Sequence, residues 1–164
     1  MSLRRRSYEP GHSPKFLVVI DDSPECDRGL YFAARRALRT GASVLMLRVI
    51  EVHDRNQQWL GVADIMRAEA HEAANAALDR AAARATGITG AVPGRVIREG
   101  DKTEEIIKLI EEDEDIALLI LAAGTDTEGP GPLVASLAKT AGTFPIPVAI
   151  VPGHLSDEAL DSMS

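Results

Sequence analysis

Three glycines and the start of a helix lie close together in the last third of the chain. An apolar stretch ends at Gly124, Gly129 and Gly131 follow, and a helical pattern begins at Pro132. Glycines let a ligand approach the backbone closely, and the first N–H groups of a helix have no intrahelical partner. This order of residues is typical of a loop that holds a phosphate group.

The same loop carries two acids, Asp126 and Glu128, which argue against that chemistry. A carboxylate within about 5 Å of a triphosphate costs about 1 to 3 kcal/mol at an effective dielectric constant of roughly 20 to 40. Mg²⁺ would remove the conflict, since it takes carboxylate oxygens, and Asp22 is a third acid that could bind it with them. Acids that lie on the protein surface in contact with water, without a metal ion, are the commoner explanation of such a group.

Two further reactive side chains, Asp21 and Cys26, follow the first apolar run. A carboxylate at the end of a strand can accept hydrogen bonds from ribose hydroxyls, although it can equally cap the next helix. Cys26 falls in the first turn of that helix, where a thiol can have a lowered pKa and act as a redox sensor. Packing is the simpler role for it.

The remaining composition favours a binding protein. No nucleophile–base arrangement is visible, so we expect that the protein is not an enzyme, and the four histidines show no metal-ligand spacing. The net charge of −7 gives no support for binding to nucleic acid or to an anionic membrane. A single cysteine, and the lack of a signal peptide or of an apolar stretch of about 20 residues, predict a cytoplasmic location.

Alternating apolar and amphipathic stretches must position these residues. We predict strands at 16–20, 43–50, 94–100, 116–122 and 147–151. We predict helices from a Ser23 cap with Pro24 to Gly41, over 63–86, from an Asp101 cap through 112, and from Pro132 to 143. The apolar side of the long second helix is expected at Ile65, Ala73, Ala77, Leu78 and Ala81.

Unbroken apolar strands that are each followed by a helix indicate a parallel sheet covered on both faces. The fold class is therefore α/β: a single doubly wound, Rossmann-like domain with five strands over 15–152. We expect a mobile tail at 1–14 and a peripheral acidic tail at 153–164. Ligands of such sheets bind where the chain switches direction, here between the ends of strands one and four.

At this point the residues resemble a family. LVVIDDSPECDRGLYFAARRA is similar to the opening of universal stress protein (UspA-like) domains, in which the first strand ends in aspartate with serine two positions on. The resemblance continues through Arg98-Glu99-Gly100-Asp101 to the Pro-x-Pro-Val-x-x-Val of Pro145 to Val151, and covers roughly 15–152.

The resemblance implies a strand order of 3-2-1-4-5, a small cytoplasmic stress-response module, and a homodimer through the last strand, Val148 to Val151. Many members bind ATP or another adenine nucleotide, and Mg²⁺ would bind here only together with a nucleotide. Carried over, Asp21 would hold the ribose and the backbone of Val49 the base, while Gly124, Gly129, Gly131 and Ser136 would line the phosphate path. The neighbouring contacts would be Val19, Ile20, Ala123 and Leu137.

The family's phosphate motif is degraded here. The motif is Gly-x-x-Gly, nine residues, and then Gly-Ser or Gly-Thr, but Thr127 stands at the second glycine and Ala135-Ser136 at the closing pair. Only seven residues, 128–134, separate Thr127 from Ala135, where the family motif has nine. The alternative is therefore a member that has lost ATP and works only through contacts with unknown protein partners.

A second class also begins with a sequence like LVVIDDS, the receiver domains of response regulators. These need a phosphate-accepting aspartate at the end of strand three and a lysine after strand five. Here Asp101 resembles a helix cap, and Val151-Pro152-Gly153 contains no lysine. The receiver alternative is the weaker one.

Overall fold

The computed structural model describes residues 4–51 and 60–164 of the chain. The strands are β1 (Lys15–Val19), β2 (Ser43–Ile50), β3 (Gly94–Glu99), β4 (Ile116–Ala123) and β5 (Val148–Pro152). The helices are α1 (Cys26–Thr40), α2 (Leu60–Thr89), α3 (Lys102–Glu112), α4 (Pro132–Lys139) and α5 (Asp157–Met163). A short 3₁₀ turn, Ala141–Thr143, follows α4, where the sequence predicted that the helix would continue.

The five strands form one parallel sheet in the order β3-β2-β1-β4-β5, which confirms the predicted fold class and topology. The chain moves from β1 outward to β3 and then crosses back to β4 on the other side of β1. The carboxyl ends of β1 and β4 therefore meet at the switch point, where the sequence placed the crevice.

Successive residues of β1 serve two different cores, because side chains alternate across a sheet. Phe16 and Val18 pack with α1 and α2 on one face, and Leu17 and Val19 pack with α3 and α4 on the other. β1 is thus buried on both faces, which explains why its sequence is apolar without alternation.

The long helix α2 differs from prediction in which residues it buries. Ala77, Leu78 and Ala81 are buried as expected, but Ile65 is 61% exposed and Ala73 is exposed. The buried stripe instead contains Ala74 and Ala85. None of the helices in the described part of the chain has the length and apolar character needed to span a membrane.

Both segments outside the predicted domain contact it. The Arg6 N–H donates to the carbonyl of Glu114 (2.9 Å), and the Ser7 hydroxyl donates to that of Asp115 (2.9 Å), so Ser7 is buried. At the other end, Ser156 caps α5 and Leu160 is fully buried against α1. The prediction of a peripheral C-terminal tail is therefore wrong, and the predicted mobility of the N-terminal segment stays a prediction.

Candidate functional site

Two neighbouring cavities that share part of their lining lie at the carboxyl ends of β1 and β4. The smaller, of about 70 Å³, is lined by Val19 and Asp21 after β1 and by the first residues of α4. The larger, of about 710 Å³, lies between the loop that follows β4 and the start of α1. Four residues line both cavities: Glu25, Pro130, Gly131 and Pro132.

Asp21 shapes the turn between β1 and α1. Its Oδ1 accepts hydrogen bonds from the Ser23 N–H (3.0 Å) and from the Ser23 hydroxyl (2.5 Å). The helix begins only at Cys26, so the predicted Ser23 cap is wrong, and Asp21 does not cap the helix either. Because both bonds use Oδ1, Oδ2 is the oxygen that Asp21 can offer to a ligand in the smaller cavity.

The neighbouring acid, Asp22, is engaged elsewhere. Its two oxygens accept from the Arg48 guanidinium at 3.0 and 2.9 Å, and these hydrogen bonds hold the pKa of Asp22 below its usual value. The suggested Mg²⁺ site of Asp22, Asp126 and Glu128 is therefore not supported. Within residues 4–51 and 60–164, no three His, Cys, Asp or Glu side chains are grouped as metal ligands.

The loop after β4 folds back on itself. The Gly124 N–H donates to the carbonyl of Pro130 (2.9 Å), and the Gly129 N–H donates to that of Asp126 (3.1 Å). Gly129 and Gly131 have φ values of 122° and 107°, which only glycine adopts easily. Gly131 also precedes α4 without any side-chain cap, so the first N–H groups of that helix are left for water or a ligand.

Glu25 is the acid that the sequence analysis did not place at the site. It occupies the cap position of α1 without a capping hydrogen bond from its side chain, and it is half-buried between Gly124 and Gly153. A Cβ on Gly124 would lie 2.9 Å from Oε1 of Glu25, and one on Gly153 would lie 3.0 Å from the Glu25 Cβ. The two glycines make room for this side chain.

Cys26 lines the smaller cavity, but its thiol is unreactive in character. Burial raises the pKa of Cys26 to about 11, and its Sγ is 3.7 Å from the carbonyl oxygen of Val19. A redox sensor needs a lowered pKa, so the structure argues against that alternative and favours packing.

Comparison with known proteins now identifies the family. The model of the universal stress protein family matches residues 13–152, which is most of the chain. The chain belongs to the universal stress protein family. A comparison with curated proteins found no match.

Solved universal stress proteins share the fold at low identity. UspA from Lactobacillus plantarum is 19% identical with a TM-score of 0.67, covering 84% of this chain and 97% of that chain. A universal stress protein in complex with cAMP is 20% identical with a TM-score of 0.62, covering 84% and 96%. One from Archaeoglobus fulgidus in complex with dAMP is 18% identical with a TM-score of 0.57, covering 84% and 97%.

The structure brings about half of the predicted site residues to the two cavities. Val19 and Asp21 line the smaller one, Gly124 and Gly129 line the larger one, and Gly131 lines both. Ala123 is adjacent to them, although its carbonyl already accepts from the Gly153 N–H (2.8 Å). Their roles toward a ligand, which come from the family resemblance, stay predictions.

The other predicted residues do not line either cavity. The Ile20 side chain packs on the α1 face of the sheet, Val49 and Leu137 are buried in the opposite core, and the Ser136 hydroxyl lies 3.2 Å from that of Thr103 in α3. Ala135 takes the place expected for Ser136 in the larger cavity. A residue in the right motif position has thus turned toward a neighbouring helix.

The lining residues that the sequence analysis did not place at the site include Glu25, Lys102 and Gly153. Glu25 follows Pro24 at the predicted start of the first helix, Lys102 follows the predicted Asp101 cap, and Gly153 is the first residue of the predicted tail. Each reaches the crevice from a different strand end, and only the order of strands in the sheet brings them together. No local sequence signal marks them.

Proposed function

We propose that this protein is a binding module of the stress response that takes an adenine nucleotide at the ends of β1 and β4. The observation that carries the proposal is the lining of the smaller cavity. Asp21, which follows β1, and Gly131, which precedes α4, both line it at the switch point of the sheet. Relatives of the same fold are described in complex with cAMP and with dAMP.

Asp21 would recognise the ribose. Its Oδ1 is held by Ser23, which fixes the orientation of the carboxylate, and Oδ2 can accept from a sugar hydroxyl. Since both Ser23 bonds are local and already formed, little reorganisation of Asp21 is needed when the ligand enters.

A phosphate would lie at the start of α4. The N–H groups of Leu133 and Val134 are in the first turn of that helix and are without intrahelical partners by their position. Pro132 at the first helical position and the positive φ of Gly131 set the direction of this turn. Aligned N–H groups of this kind favour an anion.

We further propose that the protein is cytoplasmic, acts by binding without catalysis, and forms a homodimer through β5. Within the described part of the chain this strand pairs with β4 alone, and Ile150 on it is 49% exposed. An exposed apolar edge is stabilised by pairing with a second edge, and Pro147 at its start limits unwanted extension. Sedimentation of the wild type and of Ile150→Lys measures this directly, and a monomeric wild type would contradict it.

The experiment that tests nucleotide binding compares two adjacent aspartates. The purified protein is denatured and the released material chromatographed, and AMP, ADP and ATP are then titrated by calorimetry into the wild type, Asp21→Ala and Asp22→Ala. We expect Asp21→Ala to lose binding and Asp22→Ala to keep it, because Asp22 is bound to Arg48 outside the cavities.

Equal binding by both variants would remove Asp21 from the site. If no nucleotide co-purifies and none binds to the wild type, the crevice is not an adenine-nucleotide site. The alternative of a family member that acts only through protein contacts would then take its place.

A further inference from the structure

The two cavities differ in charge. Lys102 is the one basic side chain that lines either of them within the described part of the chain, and it lines the smaller cavity with Asp21. The larger cavity is lined by Glu25, Asp126 and Glu128, with no lysine or arginine among its described residues. Glu25 also lines the smaller cavity, so that space is lined by two acids and one base, whereas the larger one is lined by three acids. An anionic ligand therefore meets more uncompensated negative charge in the larger cavity.

The sizes of the cavities dictate the order in which a nucleotide would fill them. At about 70 Å³ the smaller cavity cannot hold a whole nucleotide, and the larger one shares Gly131 and Pro132 with it at the start of α4. With the ribose at Asp21, a first phosphate reaches the N-terminus of α4. A second and a third phosphate extend into the larger cavity.

Glu25 is the acid that cannot leave this path easily. Its backbone is fixed at the start of α1, where the Arg28 N–H donates to its carbonyl (2.9 Å), and its side chain fills the gap between Gly124 and Gly153. Its carboxylate has no hydrogen-bond or ion-pair partner among residues 4–51 and 60–164. By contrast, Asp126 and Glu128 lie on an exposed loop and can turn toward water.

We propose that Glu25 restricts this site to adenine nucleotides with a single phosphate and excludes ATP. The inference rests on the proposed nucleotide binding and adds the ligand class and the residue that sets it. The Glu25 carboxylate, whose backbone is anchored at the start of α1, repels a second and third phosphate that come within about 5 Å of it at the reduced dielectric of a cleft. The first phosphate has Lys102 and the helix N-terminus in the smaller cavity to offset this repulsion and is affected less.

The test measures the ratio of two dissociation constants on the full-length protein. AMP and ATP are titrated into the wild type, Glu25→Gln and Glu128→Gln at one ionic strength, with and without Mg²⁺. We expect the wild type to bind AMP at least roughly tenfold more tightly than ATP, and Glu25→Gln to recover roughly tenfold in ATP affinity with little change for AMP. Glu128→Gln, the matched control, should change the ratio less than about threefold.

The outcomes separate this inference from the proposed function. If the wild type binds AMP and ATP equally, with or without Mg²⁺, or if Glu25→Gln leaves the ratio unchanged, the role of Glu25 is overturned while nucleotide binding stands. If the wild type binds neither nucleotide, both fail together. Retained AMP binding and an unchanged thermal midpoint show that Glu25→Gln is folded.

Discussion

Glu25 and Asp27 lie two residues apart at the start of α1, yet their carboxylates have opposite surroundings. Asp27 accepts hydrogen bonds from Arg28 (2.6 Å) and from Arg84 (3.1 and 3.3 Å). The Glu25 carboxylate has no partner among the described residues and borders the larger cavity. Two residues at the start of α1 therefore separate an acid held in ion pairs from an acid that borders a cavity.

Asp27 belongs to a charged cluster that fastens the C-terminal helix to the domain. Arg28 also donates to Asp157 (2.7 Å) and to the carbonyl of Leu155 (2.9 Å). We call this cluster the α5 clasp; its members are Asp27, Arg28, Tyr31, Arg35, Arg84, Asp157 and Asp161. In it every acid has a cation or a donor, whereas the cleft acids Glu25 and Glu128 have unpartnered carboxylates within the described residues.

The two regions differ in whether their acids are paired and not in how many acids they contain. Exposed ion pairs contribute little individually, so the clasp must depend mainly on the apolar residue beneath it. The two cleft carboxylates make no such pairs, so their charge should matter mainly toward a charged ligand. Substitutions in the clasp should therefore change stability, and substitutions in the cleft should change ligand selection.

The largest effect is expected from the apolar residue under the clasp. Leu160 is fully buried, so Leu160→Ala removes its transfer free energy and leaves a cavity, which should lower the free energy of unfolding by about 2 to 5 kcal/mol. Met163→Ala, in the same helix at 53% exposure, should change it by less than about 0.5 kcal/mol. Urea denaturation measures both, and equal losses would mean that the helix is not docked.

A smaller effect should distinguish the two glycines that flank Glu25. A Cβ on Gly153 would lie 2.4 Å from the backbone oxygen of Ala123, which cannot move aside, so Gly153→Ala should cost about 1 to 3 kcal/mol. A Cβ on Gly124 meets only the flexible end of Glu25, so Gly124→Ala should cost less than about 1 kcal/mol. Thermal unfolding of the two variants measures the difference, and the reverse order would contradict this placement of Glu25.

The fold could be predicted from the sequence, because buried parallel strands are apolar without interruption and each is followed by an amphipathic helix. Asp21 and the glycines of the loop after β4 could also be placed, since strand ends at a switch point meet. The start of α1 was predicted too early, because Ser23-Pro24 matches a helix start and only the bond from Ser23 to Asp21 shows otherwise.

The remaining part of the site depends on long-range contacts. Glu25, Gly124 and Gly153 lie on three separate connections, and their fit depends on distances of about 3 Å that no local pattern encodes. Leu160 was missed for the same reason, since one apolar residue in an acidic segment does not indicate a docked helix. Such contacts follow from the packing of the whole domain.

A weaker effect on stability is expected from Asp27, and it should depend on pH. Burial opposes its ionisation, but hydrogen bonds from Arg84 and Arg28 outweigh this and keep the pKa of Asp27 below its usual 3.8. A lowered pKa in the folded state means that the stabilisation is present at neutral pH and is lost as the pH falls below about 4.

Asp27→Asn should therefore lower the free energy of unfolding at pH 7 by no more than about 1 kcal/mol, because the side chain is 44% exposed. The difference in the free energy of unfolding between the wild type and Asp27→Asn should become smaller from pH 5 to pH 3, as measured by urea titrations at each pH. Glu25→Gln should show no loss at pH 7. If the difference in the free energy of unfolding stayed the same at every pH, the ion pairs of Asp27 would not be the source of its stabilisation.

The smallest effect concerns a reaction rate and leaves stability untouched. Cys26 follows Glu25 at the wall of the smaller cavity, and burial raises its pKa to about 11. At pH 8 only about one thiol in a thousand would be ionised, so iodoacetamide should alkylate Cys26 about a hundredfold more slowly than free cysteine. Mass spectrometry follows the reaction, and unfolding in urea should restore the ordinary rate. Fast alkylation of the folded protein would mean that the cavity wall opens, and Glu25, one residue away on the same wall, would then not be fixed beside the ligand path.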